Sequence, residues 1–237
     1  GLAASVIPSL TAAVTQRDRK QIHSKISQTL KLTMVIAMPC FIGFIVLASP
    51  LMVFLFNDDS KTPAALLMLG AVTVVLYCYA TIANSILQGL DEMGTPARNA
   101  GISLIVHLIA LFIMLVVLKW NIYALVGSNI VFSLCMCVLN SSGIRSACGY
   151  RQEVDRTFLR PLTAALIMGI FTYLAHLLLD ITIGGRFIPV AGAIVIAVIV
   201  YAFAALKLGV FTGQDIKDLP QGKKIYRICR KYHLLPR

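Results

Sequence analysis

The chain has 237 residues, of which 58% are hydrophobic and 13% charged, with a mean hydropathy of +0.84. Soluble globular domains carry about 25% charged residues, so this composition excludes a disordered chain, a coiled coil, a nucleic-acid-binding domain and a small disulfide scaffold. It indicates a membrane protein. The 21 Lys and Arg residues outnumber the 10 Asp and Glu residues, which gives a net charge of +11.

The first 16 residues are uncharged, begin with Gly1 rather than Met, and carry no signal-peptide pattern. We interpret 1–16 as the end of a truncated transmembrane helix, and we expect the chain to be the C-terminal part of a longer protein. The basic segment 17–32 that follows is expected to form a cytosolic loop.

Six later stretches lack Asp, Glu, Lys and Arg, and each is long enough to cross the hydrocarbon core of a bilayer, which takes about 20 residues. Only helices and closed barrels can cross, and these runs show no strict alternation, so they predict an all-α, multi-pass membrane helical bundle. The six stretches are 33–56, 62–90, 99–118, 120–144, 161–179 and 187–206.

The basic residues predict the orientation, because cytoplasmic loops carry an excess of Lys and Arg. Eighteen of them would lie on one side of a six-crossing bundle and three on the other, which places the C-terminus in the cytosol. The larger group lies in 17–32, at Arg98, in the loop 145–160 and in 207–237; the smaller group is Lys61, Lys119 and Arg186. The tail 207–237 is predicted to be a basic amphipathic segment on the inner leaflet; the alternative is a solvated basic tail.

The polar residues inside the spans are neutral, so no intramembrane ion-coupling site is evident. In two spans they recur at helical spacing along one face. They can line a hydrated cavity, or they can form hydrogen bonds between helices, and the sequence leaves both interpretations open. The cavity-lining candidates are Thr73, Tyr77, Thr81, Asn84 and Gln88 in the second span, and Asn129, Ser133 and Asn140 in the fourth.

Two prolines lie in the first span. Pro39 and Pro50, with Gly43 between them, predict a bent helix, since each proline frees a backbone carbonyl. Bends of this kind are common in transporters that rock. His107 and His176 are isolated in their spans and are interpreted as buried neutral side chains bonded to a neighbour.

Signatures of catalysis and of cofactor binding are absent from the sequence. The chain has no Gly-x-Ser-x-Gly, His-Glu-x-x-His, Walker or Gly-x-Gly-x-x-Gly pattern. Its six cysteines include no Cys-x-x-Cys pair, and Cys135 and Cys137 point to different faces of a helix. The sequence therefore predicts neither an enzyme nor a site for a metal or cofactor.

Four stretches of the chain resemble the C-terminal part of polysaccharide-biosynthesis flippases of the MOP exporter superfamily, of the stage V sporulation protein B and lipid II flippase type. The most specific are the Leu-Gln-Gly stretch with its following proline, and the tail. The four stretches are Ile7–Leu10 with Leu30–Thr33; Ala37–Pro39 with Ala48–Leu51 and Phe54–Phe56; Asn84–Leu90 with Gly94–Pro96; and Asp215–Pro220 with Gly222–Lys224.

The resemblance implies two six-helix lobes around a V-shaped cavity, as in the MATE-like exporters, plus two extra C-terminal helices. Segment 33–144 would then supply four helices of the second lobe, and 161–206 the extra pair. The implied function is the movement of a lipid-linked cell-wall or polysaccharide precursor, undecaprenyl-linked in this family, across a bacterial cytoplasmic membrane by alternating access. The implied partners are that precursor and membrane lipids, with no nucleic acid.

One hairpin departs from the resembled pattern. The family often has Gly-Ile-x-Gly-Ala-Ala where this chain has 121–126, with Asn121 and Ala124 at the two glycine positions. The larger residues are expected to alter close packing there.

The alternatives to a flippase are a MATE-like multidrug or cation antiporter, which would need an intramembrane carboxylate, a membrane-embedded enzyme of glycan assembly, and a non-transporting partner of cell-wall assembly.

Overall fold

A computed structural model of the chain describes residues 1–185 and 187–210. Within these residues it contains eight α-helices and two short π-helical segments. The α-helices are α1 (Leu2–Thr15), α2 (Arg19–Val46), α3 (Ala48–Phe56), α4 (Lys61–Gly89), α5 (Gly94–Phe112), α6 (Tyr123–Cys148), α7 (Arg160–Thr182) and α8 (Phe187–Lys207). The π-helical segments are Ile113–Val117, which continues α5, and Asp155–Leu159, which precedes α7.

Six of these helices are long and apolar enough to cross a membrane, among the residues that the structure describes. They are α2, α4, α6 and α8, α5 with its π-helical extension, and α7 with its π-helical start. The predicted all-α bundle is therefore confirmed, with six helices of membrane-spanning length among the described residues. The predicted amphipathic tail lies largely in 211–237, outside the described residues.

α2 begins well before the first uncharged stretch. Residues 19–32, assigned to a basic connection from the sequence, are helical. Asp18 caps this start, because its Oδ1 accepts hydrogen bonds from the backbone N–H groups of Lys20 and Gln21 at 3.0 and 3.1 Å. The helix persists because buried apolar residues recur every fourth position along one face. These residues are Ile22, Ile26, Leu30 and Met34.

The first predicted span is interrupted rather than continuous. α2 runs through Pro39 and ends at Val46; Leu47 has φ −100° and ψ 13°, and α3 starts at Ala48. Pro50 lies in the first turn of α3, where its missing N–H is tolerated. The bend itself stays a prediction. Helical hydrogen bonds flank Leu47: its N–H donates to the Gly43 carbonyl at 2.9 Å, and its carbonyl accepts from the Leu51 N–H at 2.8 Å.

The chain divides into two compact units. The first comprises Gly1–Ala37 and Ala65–Glu153. Helices approach closely where they meet a glycine: a Cβ on Gly89 would lie 3.1 Å from Leu10, and one on Gly143 would lie 3.3 Å from Leu87. Leu10 and Leu87 are fully buried. This unit contains all eight of the cavity-lining candidates.

The second unit comprises Met38–Ala64 together with the described residues from Val154 onward. Its helices α7 and α8 pack through small residues, as expected for helices that associate within lipid. A Cβ on Gly192 of α8 would lie 2.6 Å from Cδ1 of Leu179 on α7. A Cβ on Gly169 of α7 would lie 2.6 Å from Cγ2 of Ile42 on α2. The buried small residues of the pair include Ala164, Ala165, Ala193 and Ala197.

Candidate functional site

The candidate site is a neutral polar face formed by α4 and α6 in the first unit. Four of the eight predicted residues are exposed in this chain, two are half-buried and two are fully buried. The exposed residues are Tyr77, Thr81, Gln88 and Asn129; the half-buried residues are Thr73 and Asn84; the fully buried residues are Ser133 and Asn140.

The exposed members are joined across the two helices by one hydrogen bond. The hydroxyl of Tyr77 on α4 donates to Oδ1 of Asn129 on α6 at 3.3 Å, and Nδ2 of Asn129 donates to the backbone carbonyl of Leu125 at 3.1 Å. The Tyr77 ring also lies against Phe132, with ring centroids 6.2 Å apart. These contacts fix the direction of the Asn129 amide and leave Tyr77 39% exposed.

Asn140 lies at the centre of a buried chain of amides. Its Nδ2 donates to Oδ1 of Asn84 on α4 at 2.8 Å, and its Oδ1 accepts a hydrogen bond from Nδ2 of Asn99 on α5 at 2.9 Å. Asn140 is fully buried and Asn99 is 3% exposed. For Asn140 the geometry supports hydrogen bonding between helices, the alternative that the sequence left open. Of these three hydrogen-bonded amides, Asn84 is half-buried and the other two are buried.

Ser133 and Thr73 bond within their own helices. The Ser133 hydroxyl donates to the carbonyls of Asn129 and Ile130 at 2.9 and 3.1 Å. The Thr73 hydroxyl donates to the carbonyl of Gly70. Such back-bonding satisfies a hydroxyl in an apolar medium without a partner helix. Ser133 is thus packed away from the exposed face, whereas the half-buried Thr73 remains at its edge.

A third polar stripe, on α5, was missed in the sequence analysis. Asn99, Ser103 and His107 recur every fourth residue and therefore share one face of the helix. Asn99 bonds Asn140, and Nδ1 of His107 lies 3.0 Å from the carbonyl oxygen of Ser128. The His107 contact confirms the predicted bond to a neighbour, although the side chain is half-buried rather than buried. Ser103 is fully buried, and its Oγ has no hydrogen-bond partner among the described residues.

The polar face carries no formal charge. Its donors and acceptors are amides and hydroxyls, so it can bind neutral polar groups such as sugar hydroxyls and amides through hydrogen bonds, but it cannot neutralise a pyrophosphate. Within residues 1–185 and 187–210, no three His, Cys, Asp or Glu side chains come together as a metal site would require.

Comparison with known proteins identifies the family. A model of the lipid II flippase MurJ family matches residues 1–207. The chain belongs to this family. The match includes all eight residues of the candidate face, and it confirms the resemblance to MOP-type flippases that the sequence stretches indicated.

Individual relatives are distant in sequence. The chain is 23% identical to the uncharacterized membrane protein YabM of Bacillus subtilis (strain 168), over 97% of the chain and 43% of that protein. It is 24% identical to the probable low-salt glycan biosynthesis flippase Agl15 of Haloferax volcanii, over 58% of the chain and 28% of that protein. A third relative, the lipid II flippase MurJ of Bacillus subtilis (strain 168), is 23% identical over 44% of the chain and 20% of its own length.

A solved structure shares the fold. The lipid II flippase MurJ in an inward closed conformation aligns with a TM-score of 0.66 and 18% identity, over 86% of this chain and 42% of that one. The predicted MOP-like helical bundle is thereby confirmed. The chain spans less than half the length of each of these relatives.

Proposed function

We propose that this chain is the second half of a flippase that moves a lipid-linked glycan precursor across the cytoplasmic membrane by alternating access. Membership of the MurJ family carries this proposal. The name of one relative, a probable glycan biosynthesis flippase, supports the same class of activity. The precursor that we propose is an undecaprenyl-linked peptidoglycan or polysaccharide unit.

The exposed polar face supplies the physical argument. Amides and hydroxyls exposed on membrane-length helices are costly in lipid, because each unpaired group loses its hydrogen bonds with water. Facing a hydrated cavity removes this cost. We propose that Tyr77, Thr81, Gln88 and Asn129, with Asn84 and Thr73 at the edge, line the wall of the transport cavity. Asn140 and Ser133 support that wall from behind.

Because the face is neutral, we expect it to contact the sugar of the substrate and not its diphosphate. Amides and hydroxyls can exchange hydrogen bonds with a sugar while it moves past, since each can donate or accept. They offer no cation for the diphosphate, which we assign to residues outside this chain. The multidrug antiporter alternative is not favoured, because the relatives with a stated activity are flippases and the six predicted spans carry no carboxylate.

The second unit is proposed to support the transport helices and to face lipid. Side chains of α7 and α8 form an apolar groove of about 570 Å³, lined among others by Phe171, Ile199 and Phe203. Lys207 ends this groove, and its ammonium lies 5.3 Å from the Phe203 ring centroid. The groove has the chemistry to hold an acyl or isoprenoid chain and offers little for a sugar headgroup.

Reconstituted transport tests the proposal. The full-length protein in proteoliposomes should move a labelled undecaprenyl-pyrophosphoryl sugar between leaflets, measured as the fraction that an impermeant reagent modifies with time. Protein-free liposomes and liposomes with an unrelated membrane protein are the controls. Export of a cationic dye with no movement of the lipid-linked sugar would contradict the proposal and favour the antiporter.

A further inference from the structure

A polar cavity lies in the first unit, at the ends of four helices. It has a volume of about 370 Å³ and is formed where α1 and α4 end, α2 begins and α6 ends. It shares no residue with the candidate face. The residues that line it are Val14, Arg19, Ile22, His23, Leu90, Arg145 and 146–149.

The charge of this cavity is positive. Arg19 and Arg145 line it and are both exposed, and no lining residue is acidic. Three carboxylates lie within two residues of a lining residue in the sequence, those of Asp18, Asp91 and Glu92. That of Asp18 accepts the backbone hydrogen bonds at the start of α2, and that of Glu92 accepts a hydrogen bond from the Thr95 hydroxyl at 2.9 Å. Of the four helix ends at the cavity, only the start of α2 presents a positive dipole end, so the positive charge comes from the two guanidinium groups.

His23 holds the two arginine-bearing helix ends together. Its Nε2 lies 2.9 Å from the backbone carbonyl oxygen of Cys148 and donates to it, since a carbonyl can only accept. The His23 ring also packs edge-on against Tyr150, with centroids 5.6 Å apart at an interplanar angle of 73°. Burial raises the pKa of the Tyr150 hydroxyl, so this phenol stays neutral and adds no negative charge beside the cavity.

We propose that this cavity binds a phosphate group, with Arg19 and Arg145 as its two cationic contacts. A guanidinium presents paired N–H donors that match two phosphate oxygens, which makes arginine suited to this ligand. Both arginines lie on the side that the distribution of basic residues assigns to the cytosol, where basic pockets between membrane helices bind anionic headgroups. The ligand is the phosphodiester of an anionic phospholipid or a soluble phosphate. The site is distinct from the proposed transport face, and its test needs no transport assay.

Native mass spectrometry of the full-length protein in neutral detergent tests this site. The protein is titrated separately with phosphatidylglycerol, with phosphatidylcholine of the same chains, and with inorganic phosphate. We expect saturable binding of phosphatidylglycerol that weakens about tenfold or more in the double variant Arg19→Gln/Arg145→Gln, because two charge-assisted contacts are lost. The matched control is Arg98→Gln/Arg151→Gln, which removes two exposed arginines of the same predicted side that do not line the cavity.

The arms of the experiment give distinct outcomes. Loss of binding in the cavity variant alone supports the site, and equal loss in both variants, or in neither, overturns it. Inorganic phosphate binding that depends on Arg19 and Arg145 identifies a soluble source, whereas phosphatidylglycerol binding without phosphate binding identifies the lipid. The variant Arg19→Lys/Arg145→Lys, which keeps the charge, should retain part of the binding, and melting curves in phosphatidylcholine check that each variant is folded.

Discussion

Asn99 on α5 donates a hydrogen bond from its Nδ2 to Oδ1 of Asn140 on α6, across 2.9 Å, at a point where both side chains are buried. Because Asn140 in turn donates to Asn84, the two bonds connect α5, α6 and α4 through amides alone. Asn99 on α5 is thus linked to the half-buried Asn84 on α4 through two successive hydrogen bonds.

A double-mutant cycle measures this connection. We expect Asn99→Ala and Asn140→Ala each to destabilise the full-length protein, and the pair to show a coupling free energy of about 0.6 kcal/mol, up to about 1.7 kcal/mol. Equilibrium unfolding in mixed micelles provides the free energies. Asn129→Ala serves as the control, since Asn129 is exposed and should couple little to Asn99. Additive effects of Asn99→Ala and Asn140→Ala would contradict the buried chain of amides.

The contrast between two helical glycines gives a second prediction. A Cβ at Gly169 would lie 2.6 Å from Cγ2 of Ile42, a branched side chain with little freedom to move, whereas a Cβ at Gly101 would meet nothing within 4 Å. We expect Gly169→Ala to cost about 1–3 kcal/mol of stability and Gly101→Ala to stabilise by up to about 1 kcal/mol. Thermal denaturation followed by size-exclusion chromatography compares the two. Equal melting temperatures would show that α7 does not approach Ile42 as described.

The hairpin before α6 gives a third prediction. Asn121 has φ 50°, in the left-handed region that glycine and asparagine tolerate. This accounts for the glycine that the family often has there. We expect Asn121→Gly to be nearly neutral and Asn121→Val to cost about 1–2 kcal/mol, measured as a shift in melting temperature. A tolerated valine would mean that the backbone differs at this position.

The predicted orientation has its own test. Eighteen of the 21 basic residues lie on one predicted side, so a reporter fused after Arg237 should be cytosolic. In a cysteine-free background of the full-length protein, a cysteine at Asp59 or Gly184 should react with an impermeant reagent from outside intact cells. A cysteine at Arg98 is the control and should react only after permeabilisation. The reverse labelling pattern would invert the topology.

The sequence predicted the six crossings because the thickness of the hydrocarbon core sets the length of each uncharged run. It could not place the start of α2, since Ile22, Ile26 and Leu30 continue the buried face inside a charged segment. The start of α2 therefore depends on the packing of these apolar residues, and the positions of the charged residues do not predict it.

The polar stripe on α4 was also predictable, because spacing alone puts its members on one face. Which members are covered was not predictable. Asn140 and Asn129 share a face of α6, yet the first is fully buried and the second exposed, since burial depends on which neighbouring helix covers each position. Asn99 was missed although its spacing to Ser103 and His107 carries the same signal as the stripe on α4.

The proposed transport face is tested most directly by flipping measured in proteoliposomes with full-length variants. Gln88→Leu and Asn129→Leu each remove an exposed amide from this face. Ser142→Leu is the control: Ser142 is exposed and lies about 200° around α6 from Asn140, which shares a face of the helix with Asn129. We predict that Gln88→Leu and Asn129→Leu lower the flipping rate about fivefold, equivalent to about 1 kcal/mol, with membrane levels close to normal, and that Ser142→Leu leaves the rate unchanged. Normal flipping by both amide variants, or loss of folded protein in place of loss of flipping, would contradict the account.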